Sequence, residues 1–313
     1  MSNILLLGAG FSRNWGGILA SEAFAYLLGC PEISNNKRLK DLLWRNQQTG
    51  GFENALEEIQ ADFNKNPEAS NRDDLVNLQN AVIRMFHDMN SGFENTNFEF
   101  QNARERIVQT FLTKFDVILT LNQDQLLEHH YIENGYLLSN GRWSGSELPG
   151  MKHISDPNVS SWANRTWVPV DQKKFQLDNH RLQPYIKLHG SSNWQKEENQ
   201  QVPILVMGGN KIQQIGLFPV LSWYHELFKE QLSQPDARLM VIGYGFRDTH
   251  INDIIRQAVN KHSLKMFIID PKGGDLLEDT LKNSLIGASR RSLSEIFGND
   301  TIEHNKVMRF FNV

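Results

Sequence analysis

The chain has little of what ties small proteins together through covalent bridges or metals: among its 313 residues there is one cysteine, Cys30. A single thiol excludes an internal disulfide and any zinc site needing two or more thiolates from this chain. It also suits a reducing compartment, so the cytoplasm is expected. Long apolar runs are missing too, and none approaches the roughly 20 residues that a membrane-spanning helix requires. The first apolar stretch has no basic flank and is cut short by glycine, so it does not read as a signal peptide. Neither sign of charge dominates, since 32 Lys and Arg stand against 36 Asp and Glu. That balance gives no general pull toward nucleic acid or an anionic membrane, and direct contact with either is not expected. Repeats and low-complexity tracts are absent, and the polar stretch Asn193 to Gln201 reads as exposed loop.

What is present is a scatter of short apolar runs separated by helical patterns. The runs are Ile4 to Leu7, Val117 to Leu121, Tyr185 to Leu188, Ile204 to Met207, Leu239 to Ile242 and Met266 to Ile269. Runs without polar alternation suggest strands buried on both faces, so the fold class is α/β with a Rossmann-like parallel sheet. Leu56, Ile59 and Phe63 recur at helical spacing, as do Leu75, Leu78, Val82 and Phe86, and Ala103, Ile107 and Phe111. Residues 30–112 are therefore read as a helical insertion or cap. The sheet-forming core is assigned to 1–29 and 113–272, with an irregular insertion at about 138–183. Trp143, Trp162 and Trp167 in that insertion read as packing residues, because no basic residues interleave them. Residues 273–313 are expected to add one or two helices and a tail packing on the core, with Val307 to Phe311 as a final strand or part of that tail.

The opening run empties into Gly8-Ala9-Gly10-Phe11-Ser12. Glycines lack Cβ atoms, so a diphosphate can approach such a turn closely, and a helix expected at Ala20 to Leu28 would aim free N–H groups at it. A tight strand-to-helix packing turn is the alternative. Later strands end in comparable ways. Thr120-Leu121-Asn122-Gln123-Asp124 places polar Asn122 and Asp124 where doubly wound sheets bind ligands, although Asp124 also suits a helix cap. Lys187-Leu188-His189-Gly190 places a histidine at a strand end, as a proton-transfer group or a structural residue. Gly243-Tyr244-Gly245 opens another glycine turn, and Asp248 or Thr249 suits the cap of the helix that follows. Asp270 at the last strand end either reaches a ribose hydroxyl or forms an Asx turn before Pro271. The other nine histidines show no metal-ligand spacing.

Together these segments resemble the sirtuin family. Gly8-Ala9-Gly10-Phe11-Ser12 is similar to its first glycine turn, Thr120-Leu121-Asn122-Gln123-Asp124 to its Thr-x-Asn-x-Asp segment, and His189-Gly190 to its His-Gly element. Gly243 falls where sirtuins carry a later glycine turn. Two departures stand out: the four zinc-binding cysteines of sirtuin deacylases are missing, and Asn14-Trp15-Gly16-Gly17-Ile18 replaces their Gly-Ile-Pro-Asp-Phe-Arg loop. The chain thus resembles the sirtuin-like domains of bacterial antiphage systems, which hydrolyse NAD.

That resemblance implies an NAD glycohydrolase releasing nicotinamide and ADP-ribose, with NAD as substrate and no metal. It implies catalytic roles for Asn122, His189 and Asp124. Gly8, Ala9, Gly10 and Ser12 would take the diphosphate, Phe11 and Trp15 either the nicotinamide side or a place in the core, and Gly243, Tyr244, Gly245 and Asp270 the adenosine side. Nicotinamide leaves a cationic ring as a neutral molecule, so the paired carboxylates of ordinary glycosidases are not obligatory. Alternatives are an NAD-dependent protein deacylase, or a non-catalytic NAD or ADP-ribose-binding subunit. An unrestrained NADase is lethal to its host, so control by homo-oligomerisation or another polypeptide is expected. By family analogy the partner is a HerA-type ATPase, or less favoured, a short Argonaute.

Overall fold

The computed structural model describes residues 2–48, 51–101, 106–132, 141–154, 161, 163–177, 181–198 and 200–312. Its strands are β1 (Ser2–Leu7), β2 (Val117–Thr120), β3 (Gly145–Glu147), β4 (Met151–His153), β5 (Trp167–Pro169), β6 (Leu182–Lys187), β7 (Gly190–Glu197), β8 (Gln200–Leu205), β9 (Ala237–Ile242), β10 (Lys265–Ile269) and β11 (Leu285–Ser289). Seven form one sheet in the order β11-β10-β9-β1-β2-β6-β3, and every pairing in it is parallel. With helices packed around it, this is a Rossmann-like α/β fold. Ile4, Leu5, Leu6 and Leu7 are all fully buried, as expected for a strand covered on both faces. The chain leaves β1 for β2 on one side and later returns to β9 on the other, so the strand order reverses between β1 and β9. Such a switch point opens a crevice at the carboxyl edge of the strands.

Between β1 and β2 lie the helices Ala20–Leu28, Pro31–Ser34, Lys37–Asn46, Phe52–Lys65 and Ala69–Glu94. Their apolar faces form a second core in which Leu27, Leu43, Leu56, Ile59, Leu78 and Val82 meet Leu205 and Met207. Burying each of those large side chains stabilises the fold by roughly 1.5–3 kcal/mol. β4, β5, β7 and β8 make a smaller sheet, with β7 and β8 antiparallel. The hairpin β7–β8 also carries the chain back beneath the helices, because Leu205 ends β8 and enters that second core.

Several expectations are corrected. The helix expected at Ala20–Leu28 is present with those bounds, but it does not follow the first turn directly, because a short helix over Ala9–Ser12 comes between. The run Ile204 to Met207 joins the small sheet through β8 rather than the parallel one. The stretch Asn193 to Gln201 is exposed at Lys196 to Glu198 but is a hairpin rather than a loop, joining the end of β7, with Trp194 buried, to the start of β8. Trp143 and Trp167 are buried as packing residues, whereas Trp162 and Ala103 lie outside the described residues. Beyond Asp270 the chain adds β11 to the sheet edge. Val307 to Phe311 is helical rather than a strand, closing the helix Thr301–Met308 and continuing as a 3-10 turn over Arg309–Phe311.

Candidate active site

Four neighbouring strands, β9, β1, β2 and β6, deliver their following turns to one edge of the sheet. The two glycine turns meet there first. The Gly10 N–H donates to the Gly243 carbonyl at 2.9 Å and the Gly8 N–H to the Ile242 carbonyl at 3.0 Å. Gly243 has φ +65°, and a Cβ on it would stand 2.3 Å from the Phe11 nitrogen. A side chain there would collide with backbone, so glycine is what lets the turns touch. The consequence alters the expected roles: the Gly8 and Gly10 amides are already bonded to carbonyls and do not present free donors to a diphosphate. Ala9 between them is exposed, and Ser12 is buried.

Asn122 follows β2 in the adjacent position. Its Nδ2 donates to the Gly8 carbonyl at 3.1 Å and to Ser12 Oγ at 3.0 Å. A carbonyl only accepts, so the amide nitrogen must face it and the side-chain oxygen must face away. Asn122 Oδ1 has no partner among the described residues and is not sealed from solvent. The Ser12 hydroxyl also acts on Asp124, whose carboxyl it helps to lower. Asp124 is buried, and burial raises its carboxyl above the usual range, against the lowering effects of Lys187 and Ser12. One Asp124 oxygen takes the Leu126 N–H at 3.1 Å, so the residue acts as a local cap.

Beneath this turn sits a buried ion pair. Lys187, at the end of β6, and Glu128 meet at 2.6 Å with side chains 0% and 2% exposed. Lys187 also donates to the Asp124 carbonyl, and the Tyr185 hydroxyl donates to the second Glu128 oxygen at 3.0 Å. The π-helical turn Glu128–Ile132 carries Glu128, a distortion often found near functional sites. A buried pair in which each partner makes a further hydrogen bond fixes the Asn122–Asp124 turn more than it adds to stability.

His189 lies two residues beyond Lys187, as Asn122 lies two beyond Thr120, and those two strand residues are paired. Asn122 and His189 therefore hold equivalent positions past the ends of adjacent strands. His189 is buried, and its Nε2 is 3.0 Å from His250 Nε2. His250 belongs to the helix Thr249–His262. His225, in the helix Pro219–Leu232, donates from Nε2 to the Leu188 carbonyl at 3.1 Å. Its ring stands 5.4 Å from that of His250. Burial is the main cause holding all three rings below the ordinary 6.5, with His189 well below it and His225 brought down to about 4. At neutral pH they are uncharged bases. Lys211 flanks them, fastened to Asp248 at 2.7 Å and to Glu53 of the helix Phe52–Lys65 at 2.8 Å.

Not every expected residue joins this centre. Phe11 and Trp15 are buried in the core, where the Trp15 indole stacks on Phe98 and Phe100 and donates to the Phe98 carbonyl at 3.0 Å. They back the first turn rather than wall an open face. Tyr244 is buried and hydrogen-bonds to the start of the following helix, taking the Asp248 N–H and donating to Asn252; Gly245 beside it is exposed. Asp248 occupies the cap position of its helix without a side-chain cap bond, its carboxylate being engaged by Lys211 instead. Asp270 accepts the Lys272 N–H at 2.9 Å, an Asx turn. His225, His250 and Lys211 were not singled out in the sequence; His250 alone had a signal, two residues past a strand-end turn already marked by its glycines. Two open depressions sit instead on the helical segment, one lined by Pro31, Asn36 and Asn77, the other by Arg38, Asp41 and Asp62. Neither contains a buried titratable group. Among the described residues no group of three or more His, Cys, Asp or Glu side chains is arranged to hold a metal ion.

A parallel sheet with a switch point, an oriented amide and a neutral imidazole at its carboxyl edge defines an α/β protein with a polar strand-edge site. The chain belongs to the SIR2-like domain family, which matches it over residues 116–288. The family is one of NAD-dependent enzymes. The match takes in Asn122, Asp124, His189, His225, His250 and Asp270, and leaves the Gly8–Ser12 turn outside it. No curated protein matches the chain.

Proposed function

We propose that the protein is an NAD glycohydrolase that releases nicotinamide and ADP-ribose, with Asn122 and His189 as its catalytic residues. The observation that carries this reading is the fixed orientation of Asn122, at the end of the strand next to the one that leads into His189. Both N–H donors of the amide are spent on Gly8 and Ser12, so its oxygen is left to accept from a ribose hydroxyl or a water. The group that NAD supplies is a neutral leaving base on a cationic ring, so the protein needs to hold the sugar, exclude bulk water and take one proton. Asn122 orients, and His189 is uncharged at neutral pH and able to accept that proton. Asp124 acts through Ser12 on the position of Asn122. For the dinucleotide's phosphates, the exposed Ala9 end of the first turn remains, whereas the Gly8 and Gly10 amides do not fit that task in this conformation.

The same reading gives a biological setting, in which activation of the enzyme depletes NAD as an antiphage response. Restraint would come from self-association or from a partner, by analogy a HerA-type ATPase and, less favoured, a short Argonaute. The deacylase alternative lacks support from the one cysteine, which is buried at Cys30 among the helices.

The test is nicotinamide release from NAD by the purified protein, alone and with the product of the adjacent gene. Asn122→Ala and His189→Ala are each expected to lower turnover by about a hundredfold or more. Turnover close to wild type in both variants removes them from catalysis, and NAD binding without nicotinamide release under any of these conditions favours a non-catalytic subunit.

A further inference from the structure

We propose that His250 is the proton partner of His189: the two Nε2 atoms share one proton, and a proton accepted by His189 is relayed through that bond to His250. The inference rests on the glycohydrolase reading for its catalytic part and on geometry alone for the shared proton. The Nε2 atoms are 3.0 Å apart, a hydrogen-bond distance, and two unprotonated nitrogens at that spacing would repel. One ring therefore donates and the other accepts. The contact joins segments that follow β6 and β9, three places apart in the sheet, so it is a tertiary device rather than a by-product of chain proximity.

The charges around the pair set the direction of transfer. Facing His189 are Lys211, His250 and His225, each of which disfavours a positive charge on its buried ring. His250 is partly exposed and has Asp248 and Asp253 to favour its charged form, against burial and Lys211. Lys211 is itself held by Asp248 and Glu53, and His225 is tied to the Leu188 carbonyl. A cation is thus better placed on His250 than on His189. In the relay, His189 starts with hydrogen on Nε2 and a bare Nδ1, which has no partner among the described residues. It gains the substrate or water proton at Nδ1 and gives its Nε2 hydrogen to His250 Nε2. One proton enters and one passes on; His189 ends neutral and His250 becomes the imidazolium beside Asp248.

Nitrogen-15 NMR of the histidine-labelled full chain tests the shared proton without any substrate. A through-hydrogen-bond coupling between the two Nε2 atoms, lost in His250→Gln, is expected; its absence in the wild type overturns the proposal. Kinetics test the relay. His250→Gln offers a hydrogen-bonding group but takes up no proton, so kcat is expected to fall roughly tenfold or more with KM for NAD little changed. An unchanged kcat, or a loss confined to KM, overturns the relay. If the wild type releases no nicotinamide while the coupling is present, the glycohydrolase reading fails and the shared proton stands.

Discussion

At the scale of single residues, the site is built on polar groups whose partners are fixed before any ligand arrives. Lys187 shows the cost of disturbing them. Replacing it with Met leaves Glu128 buried without its cation, which is expected to destabilise the protein by about 3–5 kcal/mol in urea unfolding. Adding Glu128→Leu should recover much of that loss, and a double variant as unstable as the single one would contradict the reading of the pair. Ser12→Ala tests the grip on Asn122 more gently. It removes the hydroxyl between Asn122 and Asp124, so nicotinamide release should fall while the melting temperature moves little. Asn122 was legible in the sequence because a polar residue ends an apolar run. Lys211 was not, because its partners come from distant segments, and His250 showed only its place after a glycine turn, not its pairing with a histidine from another strand end.

At the scale of elements, the two glycine turns behave as one unit. Gly243→Ala puts a side chain on a left-handed residue and against the Phe11 nitrogen. It should cost more than the roughly 1–3 kcal/mol of backbone strain alone, read as a lowered thermal midpoint. The helices bearing the histidines add a pH dependence. His225 has its folded value lowered from 6.5 to about 4, and His189 and His250 shift in the same direction. Below pH 6.5 the unfolded chain takes up protons that the folded chain refuses, so stability is fully present above 6.5 and is lost as pH falls toward 4. Urea midpoints measured from pH 7.5 to 5 should decline, and His225→Leu should flatten the decline; a flat wild-type profile contradicts the buried neutral rings. The parallel strands were legible for a physical reason: burial on both faces removes polar alternation. β11 was not, since Leu-Ile-Gly-Ala-Ser at a sheet edge is short, mixed in polarity and half exposed. The three-residue strands β4 and β5 offer too little sequence to show any period.

At the scale of the whole molecule, the helices between β1 and β2 are joined to the site by defined bonds. Asn90, in the long helix Ala69–Glu94, accepts the Gln125 N–H at 2.9 Å and donates to Ser192 at 3.0 Å. Glu53 reaches Lys211 from another of these helices. A ligand or partner acting on the helical segment would thus have a physical route to the Asn122–Gln125 turn. Asn90→Ala should cost about 1–3 kcal/mol for the unsatisfied buried amide and lower nicotinamide release as well; unchanged release would separate the helices from the site.

The most direct test of the strand-edge site is the structure of the His189→Ala variant saturated with NAD. Expected is the dinucleotide along the carboxyl edge of β1, β2 and β6, with the anomeric carbon of its nicotinamide ribose between Asn122 Oδ1 and the space vacated by the imidazole. NAD seated elsewhere, for example in a depression of the helical segment, or an empty strand edge at saturating NAD, would contradict it.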